Sequence, residues 1–209
     1  MAVRDPLPPG DVEITERRLL MSVVEVARHV FDAAAASIFL MDGDTGELVF
    51  TAVSGKGEGH LLGARFPRGT GIAGWVAASG QPMIADDVEE VSQFARNAAE
   101  STGFVPCSIM AAPLIRYEEC IGVLEVLDRS DALRGELADV DLLALLATQA
   151  ACGLELLLRL RHTHAAAAAS GADDLHTLLE RIAVRVLSGN GSANPVALKL
   201  LVAADELLA

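Results

Sequence analysis

The sequence predicts an α+β domain. Two pairs of apolar runs, 37–41 with 47–53 and 107–115 with 120–128, are each joined by turn-forming or charged residues, the pattern of antiparallel hairpins. Segments with apolar residues at helical spacing stand before the first pair and after the second.

Taken in chain order, Pro6, Pro8, Pro9 and Gly10 close a flexible lead, residues 1–10. From Asp11, the expected N-cap, Val12, Leu19, Val23, Val26 and Val30 follow at helical intervals, and Leu20, Val24, Ala27 and Phe31 form a second apolar line. A helix apolar on two sides needs two packing partners. Ser37–Met41, the turn Asp42-Gly43-Asp44-Thr45-Gly46 and Glu47–Val53 make the first hairpin. Residues 54–63 hold four glycines and no periodicity, so they read as a loop. A short helix is expected over Ile72–Ser79, stopped by Gly80, then a short strand over Pro82–Ala85. Residues 86–103, with Val88, Val91, Phe94 and Ala95 on one side, predict a partly exposed helix ending at Gly103. The second hairpin turns through Arg116-Tyr117-Glu118-Glu119, and a long helix runs from Asp139 to about His162. Ala-rich residues 164–172 suit either a linker or an extension of that helix, and 173–209 read as an appendage of two short amphipathic helices broken at Ser188–Ser192.

Composition narrows the function classes. The chain has 209 residues, with 16 Lys and Arg against 29 Asp and Glu and a net charge of −13, which repels nucleic acid and anionic membrane surfaces. Thirteen of the acids lie in residues 84–141 against four arginines, so the acidity is concentrated in the second half of the domain. The uncharged run Leu142–Leu154 falls short of the roughly 20 apolar residues a membrane span needs. Asp5 and Pro6 stand where a secretory signal places its apolar stretch. Three cysteines in apolar surroundings, Cys107, Cys120 and Cys152, argue against a disulfide framework. A cytoplasmic setting is expected.

Arg65-Phe66-Pro67-Arg68-Gly69-Thr70-Gly71-Ile72-Ala73-Gly74-Trp75-Val76, continuing to Val88, resembles the central signature of GAF domains. Ala112–Ile115 with Ile121–Arg129 is similar to that family's final hairpin, and Asp139–Glu155 to its closing helix. The resemblance covers roughly residues 12–162, so residues 11–163 are assigned to the domain with its flanking helices. It implies a central antiparallel sheet of five or six strands with helices on both faces, and a small-molecule pocket between the sheet and the segment carrying the short helices. It also implies a homodimer through helices 12–32 and 139–162. The chain is expected to be a stand-alone GAF protein of a bacterial signal-transduction type, a sensor that signals through a dimeric helical bundle to a protein partner, with 173–209 as one route to that partner. The alternatives are a dimerising scaffold with an unused pocket and a redox enzyme resembling free methionine sulfoxide reductase, which would work through Cys107.

The string Gly69–Gly74 satisfies G-x-G-x-x-G, but a dinucleotide site needs a preceding buried strand, and Arg65-Phe66-Pro67-Arg68 is a poor one. What survives is a helix N-terminus at Thr70 beside Arg68, where an anionic ligand group can rest, set against glycines that only shape a tight turn. Glu125 shares a strand face with Val123 and Leu127, so an inward face obliges its carboxylate to find a ligand or a protein partner. Ser37 offers a hydroxyl to the same pocket or sits at the strand edge. By analogy with the family, Ile72, Ala73 and Phe94 line the cavity, although core packing explains these three equally well, and Cys107 lies near it. The ligand is an unidentified small molecule. No Cys-His pair for a bilin is present, and the histidines have no zinc spacing. Asp128-Arg129 stands where cyclic-nucleotide-binding relatives carry Asn-Lys, which counts against that ligand. The acids Asp86, Asp87, Glu89 and Glu90 read as a solvated helix start rather than a cation site.

Overall fold

A computed structural model describes residues 9–130, 138–161 and 163. The chain divides into two compact units, Met1–Leu158 and Arg159–Ala209. The expectations for the 164–172 segment and the 173–209 appendage lie outside the described residues.

Helix α1 (Pro9–Val30) leads into β1 (Ala35–Met41) and β2 (Leu48–Gly55), followed by the two-residue strand β3 (Arg65–Phe66) and α2 (Gly71–Ser79). After β4 (Met83–Ala85) come a 3-10 turn (Val88–Glu90), α3 (Arg96–Ser101), β5 (Ile109–Arg116) and β6 (Glu119–Leu127). Helix α4 (Ala138–Arg161) completes the described chain. The six strands form one antiparallel sheet in the order β3-β2-β1-β6-β5-β4. The five or six strands implied by the resemblance are six.

Alternation along the central strands sorts the core into two layers. Ala36 and Ile38 of β1, Met110, Ala112 and Leu114 of β5, and Leu124 and Val126 of β6 face α1 and α4. The helices return Leu20, Val24, Ala27 and Phe31 from α1 and Leu143, Ala147, Ala150 and Leu154 from α4. On the other face, Phe39, Val123, Ile109 and Ala111 meet Ile72, Ala73 and Val76 of α2. Each long helix thus places one side on the sheet and keeps apolar residues on another, with Ile14, Val26, Leu145 and Leu156 exposed. As folded, α4 is long and apolar enough to cross a membrane, although the uncharged run was too short to suggest it. Leu143, Ala147 and Leu154 bury one side of it in the core, while Leu145, Leu156 and Leu160 stay exposed.

Two expectations need correction. The first helix starts at Pro9, ahead of the expected Asp11 cap, because proline tolerates the first helical turn, whose N–H groups have no intrahelical acceptor. The predicted helix over 86–103 is only Arg96–Ser101. Asp87 Oδ1 accepts the Glu89 N–H at 2.9 Å and holds a 3-10 turn, after which Val91 is extended (φ −98°, ψ 116°). Aspartate beside its own backbone competes with helix growth, and Val88 is buried without a full helical turn.

The glycine string has a packing explanation at Gly74. A Cβ there would stand 2.4 Å from the carbonyl carbon of Gly69, which is itself in the left-handed region at φ 78°. The start of α2 therefore folds back against its own helix. Gly74→Ala is expected to cost about 1–3 kcal/mol of stability through forced displacement, read as a lower denaturant midpoint. An unchanged midpoint would contradict the close approach.

Candidate functional site

A cavity lies on the sheet face opposite α1 and α4. Its floor is Ser37 and Phe39 of β1, Phe50 and Val53 of β2, and Glu125 and Leu127 of β6. Its roof is the start of α2 (Thr70–Ala73), Phe94, α3 with Thr102, and Phe104. It holds about 80 Å³ of accessible space beneath an open mouth.

A β-bulge shapes the floor. Ile38 pairs with Ala52 but Phe39 with Phe50, so Thr51 is the extra residue of β2. Strict alternation from Val53 would send Phe50 to the helix side. The bulge instead aims it at the cavity, where its ring centroid lies 4.1 Å from that of Phe39.

Against these apolar walls stand two polar groups that the sequence had placed on one face. Ser37 and Glu125 are partners in the β1–β6 register, and Ala111 is opposite Glu125 on β5. Ser37 is 3% exposed and Glu125 7%. Among the described residues, the Ser37 hydroxyl has no hydrogen-bond partner. No described group donates to the Glu125 carboxylate, and burial alone pushes its pKa from 4.5 up to about 7. Buried polar groups are ordinarily satisfied within the protein, so two adjacent ones on a cavity floor without a described partner stand out. Lys56, at the rim, is the other charged residue of the lining, and its ammonium lies 4.1 Å from the Phe104 ring centroid.

The structure gathers Ser37, Thr70, Ile72, Ala73, Phe94 and Glu125 around this cavity. Arg68 is not in the lining and is exposed beside Gly46, so the helix N-terminus lacks the neighbouring cation expected for an anion site. Cys107 is also outside the lining and exposed. Phe94 reaches the cavity from an irregular segment instead of the expected polar helix. Phe39, Phe50, Phe66, Phe104 and Lys56 escaped the sequence reading. The concentration of phenylalanine between residues 39 and 104 was the available signal.

Other candidate groups serve the fold. Asp86 and Asp139 flank Arg129, each 2.9 Å from its guanidinium, and Glu89 pairs with Arg96. Asp128 Oδ1 accepts the backbone N–H groups of Cys107 and Ser108 at 2.6 and 2.9 Å. His60 Nε2 donates to the Thr102 carbonyl at 2.8 Å, tying the loop after β2 to the cavity roof. Cys107 precedes β5, whereas Cys120 pairs with Ile115 near the other end of the hairpin. The six strand positions from Ile109 to Ile115 alone, at about 3.3 Å each, put roughly 20 Å between them, far beyond disulfide reach. Burial also pushes the Cys120 thiol pKa up, away from a reactive thiolate.

A six-stranded antiparallel sheet with two long helices on one face and a cavity roofed by short helices on the other defines a class of small α+β domain. The GAF domain model matches residues 16–154, and the chain belongs to the GAF domain family. It is 26% identical over 127 residues to the probable 3',5'-cyclic phosphodiesterase pde-5 of Caenorhabditis elegans, a match covering 55% of this chain and 17% of that protein. The chain therefore spans less than a fifth of that relative's length. Among solved structures, it resembles the PixJ GAF domain of Thermosynechococcus elongatus in its blue-light-absorbing form, with a TM-score of 0.60 and 16% identity over 75% of this chain and 94% of the other. It also resembles free methionine-R-sulfoxide reductase of Neisseria meningitidis in complex with its substrate, with a TM-score of 0.56 and 21% identity over 76% of this chain and 98% of the other. These two likenesses concern the fold.

Proposed function

We propose that this chain is a non-catalytic regulatory module that binds a small molecule in the cavity over Glu125 and acts in the cytoplasm. The observation that carries the reading is a pair on an apolar cavity floor, the buried Ser37 hydroxyl without a described partner and the buried Glu125 carboxylate to which no described group donates. A collapsed, unused pocket would gain stability by pairing or replacing them. Separation of Cys107 from Cys120 and exposure of Cys107 favour binding over thiol redox chemistry. Lys56 as the one cationic side chain of the lining, with Arg68 outside it, is a poor setting for the phosphate of a cyclic nucleotide.

The site is tested by mass spectrometry of small molecules released from the purified protein, with a thermal-shift screen alongside. A ligand that binds only the folded state raises the melting temperature, the more so the further its concentration exceeds its Kd. The expected result is a compound that shifts wild type and fails to shift Ser37→Ala or Glu125→Gln. If nothing is released and nothing shifts melting, the scaffold reading replaces this one.

The signal would leave through α1 and α4 in a homodimer. Leu145, Cys152 and Leu156 lie along one exposed line of α4, at the seven- and four-residue spacing of a helix–helix seam. Leu145→Glu is expected to convert dimer to monomer in sedimentation analysis, with a native circular-dichroism spectrum. A wild-type monomer, or a variant that stays dimeric, would contradict the bundle. A ligand shifts such a bundle between two arrangements only by binding them with different affinity. Residues 173–209 are the proposed contact for a downstream protein.

A further inference from the structure

Five of the six phenylalanines in the chain, Phe39, Phe50, Phe66, Phe94 and Phe104, line the cavity that holds Glu125. Phe39, Phe50 and Phe66 form one cluster, with centroids 4.1, 5.5 and 6.1 Å apart. Aromatic walls alone suit any apolar ligand. Joined to a buried carboxylate without a partner, they select charge, because aromatic faces carry negative potential that attracts cations and opposes anions. The Lys56 ammonium over Phe104 shows one of these faces already holding a cation. Beside Glu125, the unpartnered Ser37 hydroxyl supplies a second acceptor for an N–H group.

We propose that the cavity takes a small organic cation, an ammonium or amidinium on an apolar or aromatic body, whose N–H groups bond to Glu125 and Ser37 while the body lies among the phenylalanines. The proposal rests on the reading of the cavity as a ligand site and adds the charge class of the ligand.

The elements packed against Glu125 present Ser37 from β1, Ala111 from β5, and Ile72 and Ala73 from α2, all without charge. Lys56 at the rim is the other ionisable group of the lining. An incoming cation must therefore displace the proton that burial favours on Glu125, so its affinity rises with pH until that carboxyl is ionised.

Benzylammonium, benzyl alcohol and benzoate share a shape and differ in charge. Titrated into the 209-residue protein at about pH 8 and followed by protein-observed NMR, benzylammonium is expected to bind about tenfold more tightly than either of the others. Its affinity should rise between about pH 6 and about pH 8 in wild type and stay level in Glu125→Gln, which loses the preference for the cation. The ranking of the three probes on wild type does not depend on any variant folding. If benzyl alcohol or benzoate binds as tightly as benzylammonium, the charge class is wrong and the pocket reading stands. If none binds while the purified protein releases a small molecule, the charge class alone falls. If none binds and nothing is released, both readings fall.

Discussion

Glu125→Gln is expected to make the ligand-free protein more stable at pH 8 by about 3 kcal/mol. The carboxyl titrates near 4.5 when solvated and near 7 in the fold, where burial disfavours its charge. The folded state therefore holds this proton more tightly than the unfolded state. Below about pH 4 both states are protonated and the residue imposes no penalty. Between 4.5 and about 7 the unfolded chain loses the proton first, so wild-type stability falls as pH rises. Above that window the cost is constant, about 3 kcal/mol for a carboxyl moved from 4.5 to about 7. Glutamine keeps the shape and removes the ionisation. Urea unfolding at about pH 4 and about pH 8 checks this, with wild type and variant close at the first and far apart at the second. Equal stability at pH 8 would mean that Glu125 has a protein partner and no unmet need for a ligand.

The second large effect lies at Arg129, just beyond β6. Its guanidinium bonds to Asp139 at the start of α4 and to Asp86 after β4, with 7% of the side chain exposed. Asp139 is itself 4% exposed. Arg129→Met leaves a buried carboxylate without its counter-charge and is expected to cost about 3–5 kcal/mol, a large part of the margin of an ordinary domain. Asp86→Ala should cost little, since that carboxylate is half exposed. Replacing both members of the buried pair, Arg129→Met with Asp139→Leu, should recover much of the loss, because an apolar pair escapes the desolvation of two charges. Thermal unfolding of the three variants separates these expectations. A harmless Arg129→Met would show that α4 docks through its apolar face alone.

Residues 37–53 and 109–127 were legible as hairpins because alternation and turn chemistry are local. The helix α2 and its stop at Gly80 were legible for the same reason. The face shared by Val123, Glu125 and Leu127 followed from the two-residue period, and it led to the cavity floor. The aim of Phe50 did not follow, because the extra residue at Thr51 exists only in pairing with β1. Residues 86–103 misled for a related reason. Helical spacing of Val88, Val91 and Phe94 is also produced by an irregular segment draped over an apolar layer, and Asp87 uses its carboxylate to hold a turn. Arg129 was read as a departure from a family pattern, whereas its two partners lie 43 and 10 residues away in sequence. Such pairings are set by tertiary contact, which a single sequence does not show.

Glu125 lies buried, with no described donor, on the floor of the cavity. Its carboxyl carbon, followed by NMR as pH is varied, tests this most directly. The expected midpoint is near 7 in the free protein, falling toward the ordinary carboxylate range once benzylammonium is bound. A midpoint near 4.5 in the free protein, or one that benzylammonium leaves unmoved while occupying the cavity, would contradict it.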